Sequence, residues 1–233
     1  MPRRRRTIIP GVPHHVVQRA AHGRHILQTD ECKAVFIGLL DRWARRTGVL
    51  VGGFVLLNNH VHLCVTPPDE QALSLMIGKA TASLSHWINV GNRDVGPNWQ
   101  GAFYASPMDE DHTIAALRYI ERNPCAARLV AHAIEWPWSS ARWHAGAGPR
   151  PEILTTDYRP ESIGNKDWRA LLGESQPECL QRAIHAAGSS GDPLASDAWI
   201  ARMESTLGRP LRRRPRGRPR EDRENGPGGT GPI

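Results

Sequence analysis

The run Leu57-Asn58-Asn59-His60-Val61-His62-Leu63-Cys64-Val65 alternates polar and apolar residues after a pair of asparagines. This alternation predicts a β-strand from His60 to Thr66, entered through a tight turn at Asn58-Asn59. Residues i and i+2 of a strand share a face at roughly 6 to 7 Å, so His60 and His62 can both lean onto one metal ion. The plainer alternative is a pair of half-buried strand histidines that only hydrogen-bond. Cys64 continues the same face. A thiolate beside two imidazoles would favour Zn²⁺, whereas a cysteine acting as a small apolar filler would leave the site to a harder ion.

Outward from this strand, residues 13–20 alternate like a first strand. Thr29 or Asp30 caps a helix with the apolar stripe Val35, Phe36, Leu39, Leu40 and Trp43, and residues 49–57 form the strand that pairs across the Asn-Asn turn. Asp69 opens a second long helix carrying Leu73, Met76, Ile77, Ala80, Leu84 and Trp87 on one side, and a short strand follows near 102–107. Next come Ile114, Leu117 and Ile120 at helical spacing, with Pro124 predicting that this helix ends at Asn123. The order β-α-β-β-α-β-α is that of an α+β protein with a ferredoxin-like antiparallel sheet, helices on one face and one extra helix. Tyr119 and Asn123 lie four residues apart, so a phenol that can attack and an amide oxygen that can ligate share one helix face. Read alone, they are equally a boundary tyrosine and a capping asparagine.

Charge is concentrated at the two ends of the 233-residue chain, whose formal net charge is +7. Arg3, Arg4, Arg5 and Arg6 supply four positive charges, and Arg209, Arg212, Arg213, Arg214, Arg216, Arg218 and Arg220 supply seven with no acid between them. Setting those eleven aside leaves 19 basic against 23 acidic side chains, a remainder of −4. Such termini neutralise phosphates by releasing counterions, so nucleic acid is the natural partner. The segment 214–220, with its Arg-Gly-Arg-Pro core, also resembles an AT-hook suited to a narrow A·T minor groove; a generic basic tail is the alternative. No apolar run is long enough for a membrane span, and the arginine-rich start lacks the apolar segment of a signal peptide. The scattered Cys32, Cys64, Cys125 and Cys179 form no C-x-x-C pair and suit a reducing compartment, so a cytoplasmic, nucleoid-associated location is expected. Of the eight tryptophans, most read as packing residues, with Trp99 the candidate for stacking on a base.

Five stretches in order over residues 7–148 resemble the single-tyrosine HUH transposases, the IS200/IS605-like family, and within it the REP-associated tyrosine transposases. They are Pro13-His14-His15-Val16-Val17-Gln18-Arg19, Asn59-His60-Val61-His62-Leu63, Trp99-Gln100-Gly101, Arg118-Tyr119-Ile120-Glu121-Arg122-Asn123-Pro124 and Trp136-Pro137-Trp138-Ser139-Ser140. The resemblance implies that His60 and His62 hold a divalent ion, Mg²⁺ or Mn²⁺. It makes Tyr119 the nucleophile and places Asn123 at the third-ligand position, where some relatives carry Gln. Ala102 departs from the pattern, standing where a basic residue is common. The implied substrate is single-stranded or hairpin DNA, cut and rejoined through a 5′-phosphotyrosine by a monomer or by a homodimer that can exchange its tyrosine helices. Two other classes remain: a DNA-binding regulator of the same fold that performs no chemistry, and a zinc hydrolase that uses water.

The composition turns small and proline-rich at 145–151, which reads as a linker. The expected organisation is a transposase-like domain over 1–148, a helical accessory region over 149–207 with helices near 167–172, 178–187 and 196–207, and a basic, disordered tail over 208–233.

Overall fold

A computed structural model describes residues 6–93 and 95–212 of the chain. Arg3, Arg4, Arg5, Arg214, Arg216, Arg218 and Arg220 lie outside the described residues, as does the AT-hook-like segment.

Four antiparallel strands, β1 (His14–Arg19), β2 (Leu50–Leu56), β3 (His60–Thr66) and β4 (Tyr104–Pro107), lie in the order β2-β3-β1-β4. This is the ferredoxin-like arrangement, with the His60–Thr66 strand in the centre. Helix α1 (Asp30–Thr47) starts where the Thr29 hydroxyl accepts the Cys32 N–H at 3.2 Å, and it ends on Gly48 in the left-handed conformation, φ 69°. Helix α2 (Ala72–Asn92) starts beneath Asp69, whose carboxylate accepts the N–H groups of Gln71 and Ala72 at 2.7 and 2.8 Å.

Strand alternation sends Val16, Leu63, Val65 and Phe54 to one face, where Phe36 and Leu40 of α1 and Leu73, Met76 and Leu84 of α2 complete the main apolar core. Helix α3 (Glu110–Ala126) packs on the opposite face, joined by α4 (Ala141–His144), α5 (Asn165–Gly173) and α6 (Glu178–Ser190) around Val55, Cys64, Leu117, Ile120 and Trp168. A third, small cluster of Ile9, Ile200 and Leu211 docks α7 (Asp197–Leu207) and the residues after it onto the start of the chain.

Helix α3 does not stop at Asn123: it runs through Pro124 to Ala126. In the last turn a proline forfeits only one backbone bond, and the chain beyond recovers others, with Ala127 N–H on Asn123 O at 2.8 Å and Leu129 N–H on Pro124 O at 2.9 Å. The placement of α3 depends on Gly53, because a Cβ there would stand 2.1 Å from Leu117 Cδ1. Leu117 can therefore rest directly on β2, two residues before Tyr119.

The outer edge of β2 is occupied by residues 136–155. Leu56 N–H donates to Trp138 O at 2.9 Å, Ser140 N–H to Phe54 O at 3.1 Å, and Thr155 N–H to Val51 O at 2.9 Å. The Trp136 indole adds a bond to Leu56 O at 3.0 Å.

Candidate active site

Register builds the site. Strand β1 sets Arg19 opposite His60, Val17 opposite His62 and His15 opposite Cys64, all on the face covered by α3. The imidazole centroids of His60 and His62 are 4.9 Å apart. Tyr119 reaches this face from α3, its ring 6.0 Å from His62 and 6.1 Å from His15, edge-on to both. One turn further along α3, Asn123 donates through Nδ2 to Tyr119 O at 3.1 Å.

Electrostatics suit the imidazoles to ligation. Burial, helped by the nearby charges of Arg19 and His185, lowers His60 to about 4. Burial and the neighbouring His15, His60, Arg19 and His185 hold His62 well below the ordinary imidazole range. Both rings are neutral at pH 7 and keep a lone pair. His60 Nδ1 stands 2.6 Å from Asn59 Oδ1, and an amide oxygen can only accept, so Nδ1 carries the proton and Nε2 is free. Burial raises the Tyr119 phenol, while Arg19 and the Asn123 side chain pull it back down.

Two neutral imidazoles fit a divalent ion. Among the described residues no group of three or more His, Cys, Asp and Glu side chains is placed to hold one. Further ligands would have to be oxygens, from Asn123 or a bound phosphate, and an oxygen-rich shell suits a hard ion. Cys64, fully buried in the second core, has its thiol pushed up by that burial and by Glu121, which disfavours a thiolate ligand.

The other nucleic-acid candidates behave differently. Arg6 stacks its guanidinium 3.9 Å from the Phe103 ring centroid and donates through Nε to Phe103 O at 2.9 Å. Trp99, expected as a base-stacking platform, is instead a core residue: it is buried against Phe36 with centroids 5.2 Å apart, and its indole donates to Thr81 O at 3.1 Å. The stretch around it pairs with the end of β1, Gln100 N–H donating to Arg19 O at 2.9 Å and Gln18 Nε2 to Gly101 O at 3.0 Å. That pairing fixes the backbone from which Arg19 projects.

Sequence reasoning passed over four residues that shape the site. His15 and Arg19 have the same period-two signal as the histidine pair, within a stretch already singled out. Exposed His185 on α6 acts on both His60 and His62. Glu121, two residues from Tyr119 and fully buried, accepts from Ser140 Oγ at 2.5 Å, from His144 Nδ1, and from Trp168 Nε1 at 2.8 Å. It ties the far side of α3 to α4 and α5 and so fixes the rotation of the helix that presents Tyr119. A buried acid gives no periodic signal, and only its partners explain it.

Among solved structures the chain resembles a REP-associated tyrosine transposase bound to a REP hairpin, with a TM-score of 0.52, 19% identity, and 70% of this chain and 97% of that one covered. A putative transposase from Deinococcus radiodurans aligns with a TM-score of 0.37 and 13% identity over 52% of this chain and 96% of that one. No curated protein matches in sequence. The family model described as "Transposase IS200 like" matches residues 10–123, the span from the start of the sheet to the helix that carries Tyr119. Over that span the sequence fits the IS200-like transposase family.

Proposed function

We propose that the chain is a metal-dependent enzyme that nicks and rejoins single-stranded DNA beside a hairpin. The observation that carries this reading is a phenol on one rigid helix, 6.0 Å ring to ring from a neutral histidine whose strand neighbour His60 has a free Nε2. Tyr119 Oη attacks the scissile phosphorus, losing its proton as the new O–P bond forms. The departing 3′-oxygen takes up a proton and leaves as a 3′-OH, with the 5′-phosphate held on the tyrosine. A later 3′-OH attacks that linkage in reverse, so no ATP is needed. A divalent ion, Mg²⁺ or Mn²⁺, held by His60, His62 and Asn123, supplies Lewis-acid polarisation of the phosphate when bound. Arg19, opposite His60, adds a fixed positive charge where negative charge gathers, and it favours the phenolate.

The hairpin substrate is supported by a similar fold whose structure holds a REP hairpin. Residues 1–148 would carry the chemistry, 149–207 would assist recognition of the hairpin, and 208–233 would act as a basic tail. Arg3, Arg4, Arg5, Arg6, Arg214, Arg216, Arg218 and Arg220 would contact phosphates, in a nucleoid-associated monomer or homodimer.

Incubation with hairpin oligonucleotides labelled at either end, in Mg²⁺, is expected to give a covalent adduct on denaturing gels that retains only the label of the 3′ fragment. The adduct disappears in Tyr119→Phe and in EDTA. Binding with no adduct on a REP-type hairpin would instead make the chain a regulator, and cleavage without an adduct a hydrolase.

A further inference from the structure

We propose that His15 is a positioning residue for His62: its Nε2 accepts the Nδ1–H of His62 and so fixes that ring in the tautomer whose Nε2 is free for a divalent ion. The inference rests on the metal-dependent reading above and deepens it. His15 Nε2 and His62 Nδ1 are 2.8 Å apart, and the two ring planes lie within 14° of parallel. In this pair either nitrogen could donate. If His15 donated, the proton of neutral His62 would sit on Nε2 and close it to a metal; only acceptance by His15 leaves His62 Nε2 open.

His60 has the equivalent support from Asn59, an oxygen that can only accept. His15 does the same with a ring that is itself buried. Acceptance at Nε2 puts the His15 proton on Nδ1, a buried atom with no hydrogen-bond partner among the described residues. The packing around that ring is tight: a Cβ on Gly188 of α6 would come within 3.1 Å of His15 Cε1 and 3.5 Å of Nδ1. A sealed, unpaired polar atom costs stability, and such costs are tolerated where they serve function. The C-terminal helices would thus reach the site indirectly, by holding the ring that holds a ligand.

The test uses the full chain and two substitutions. His15→Phe keeps the ring volume and removes the acceptor, whereas His15→Gln offers an oxygen that can only accept. Titration with Mn²⁺, followed by the electron paramagnetic resonance of the free ion, is expected to show His15→Phe weakened about 10- to 100-fold and His15→Gln recovering most of the loss. In ¹⁵N-detected spectra of the metal-free protein, His15 and His62 should both carry their protons on Nδ1. Equal Mn²⁺ affinity of His15→Phe and the wild type, or a proton on His15 Nε2, would overturn the inference while leaving the metal-dependent reading intact. A wild type that takes up no Mn²⁺ would overturn that reading instead, and the spectra would then decide the direction of the His15–His62 bond. Should His15→Phe not fold, His15→Gln and the spectra decide alone, with a proton on His15 Nε2 again the contrary result.

Discussion

His14 and His15 are neighbours in sequence and opposites in use. His14 is fully buried, and its ring is satisfied on both sides: Nδ1 lies 2.7 Å from Val12 O, and Nε2 accepts the Ile9 N–H at 3.2 Å. It secures the chain entering the sheet. His15, one residue on, turns to the other face, where it meets His62 and Tyr119 and leaves one nitrogen unpaired among the described residues. The same contrast holds along β3, whose Val61, Leu63 and Val65 fill the main core while His60 and His62 line the site. One face of this sheet is given to the main core, while the other carries the site beside the second apolar cluster, and the two-residue period of a strand keeps the two faces apart.

Substitutions on each face should break that division in different ways. Leu63→Ala, at a position with no exposure, is expected to cost about 2–5 kcal/mol in urea unfolding while the folded fraction keeps its Mn²⁺ affinity. His62→Ala should do the reverse, and equal damage to both properties by both variants would end the separation. Gly53→Ala tests the junction between core and site. Its new methyl meets Leu117, so a loss of about 1–3 kcal/mol should come with slower adduct formation, because α3 must shift.

Acid sharpens the comparison. His14 is lowered to about 4 by burial, from an ordinary value of 6.5, so the unfolded chain binds that proton first. Stability should therefore be full above about pH 6.5 and fall as the pH drops towards 4. His14→Gln should flatten this decline by about 1.4 kcal/mol per pH unit, read from urea melts across that range, and an unchanged slope would contradict the assignment. The smallest effect is expected at Trp99→Phe, which removes the bond to Thr81 O. It should lose about 1 kcal/mol with no change in affinity for single-stranded DNA.

Much of this was legible in the sequence because its signals are local. The alternation from His60 to Thr66, the Thr29 cap and the Asp69 start of α2 each lie within a few residues of their effect. What the sequence hid depends on pairs distant along the chain. Alternation shows that His15, Val17 and Arg19 share a face, but not that the register sets Val17 against His62 and brings the His15 ring to its neighbour. Trp99 reads as available because it precedes the Gln100-Gly101 loop beside the expected site, and only the fold places Phe36 beneath it. Pro124 looked like a stop because the rule that ends helices before proline holds less firmly in a final turn.

The chain segment laid along β2 has a consequence for how copies of this protein can meet. Its Trp136-to-Thr155 stretch uses up backbone groups at Val51, Phe54 and Leu56 that an open strand would offer to a stranger. Fibril-like growth through that flank is blocked from within. Association through this flank would have to be built from side chains and not from added strands.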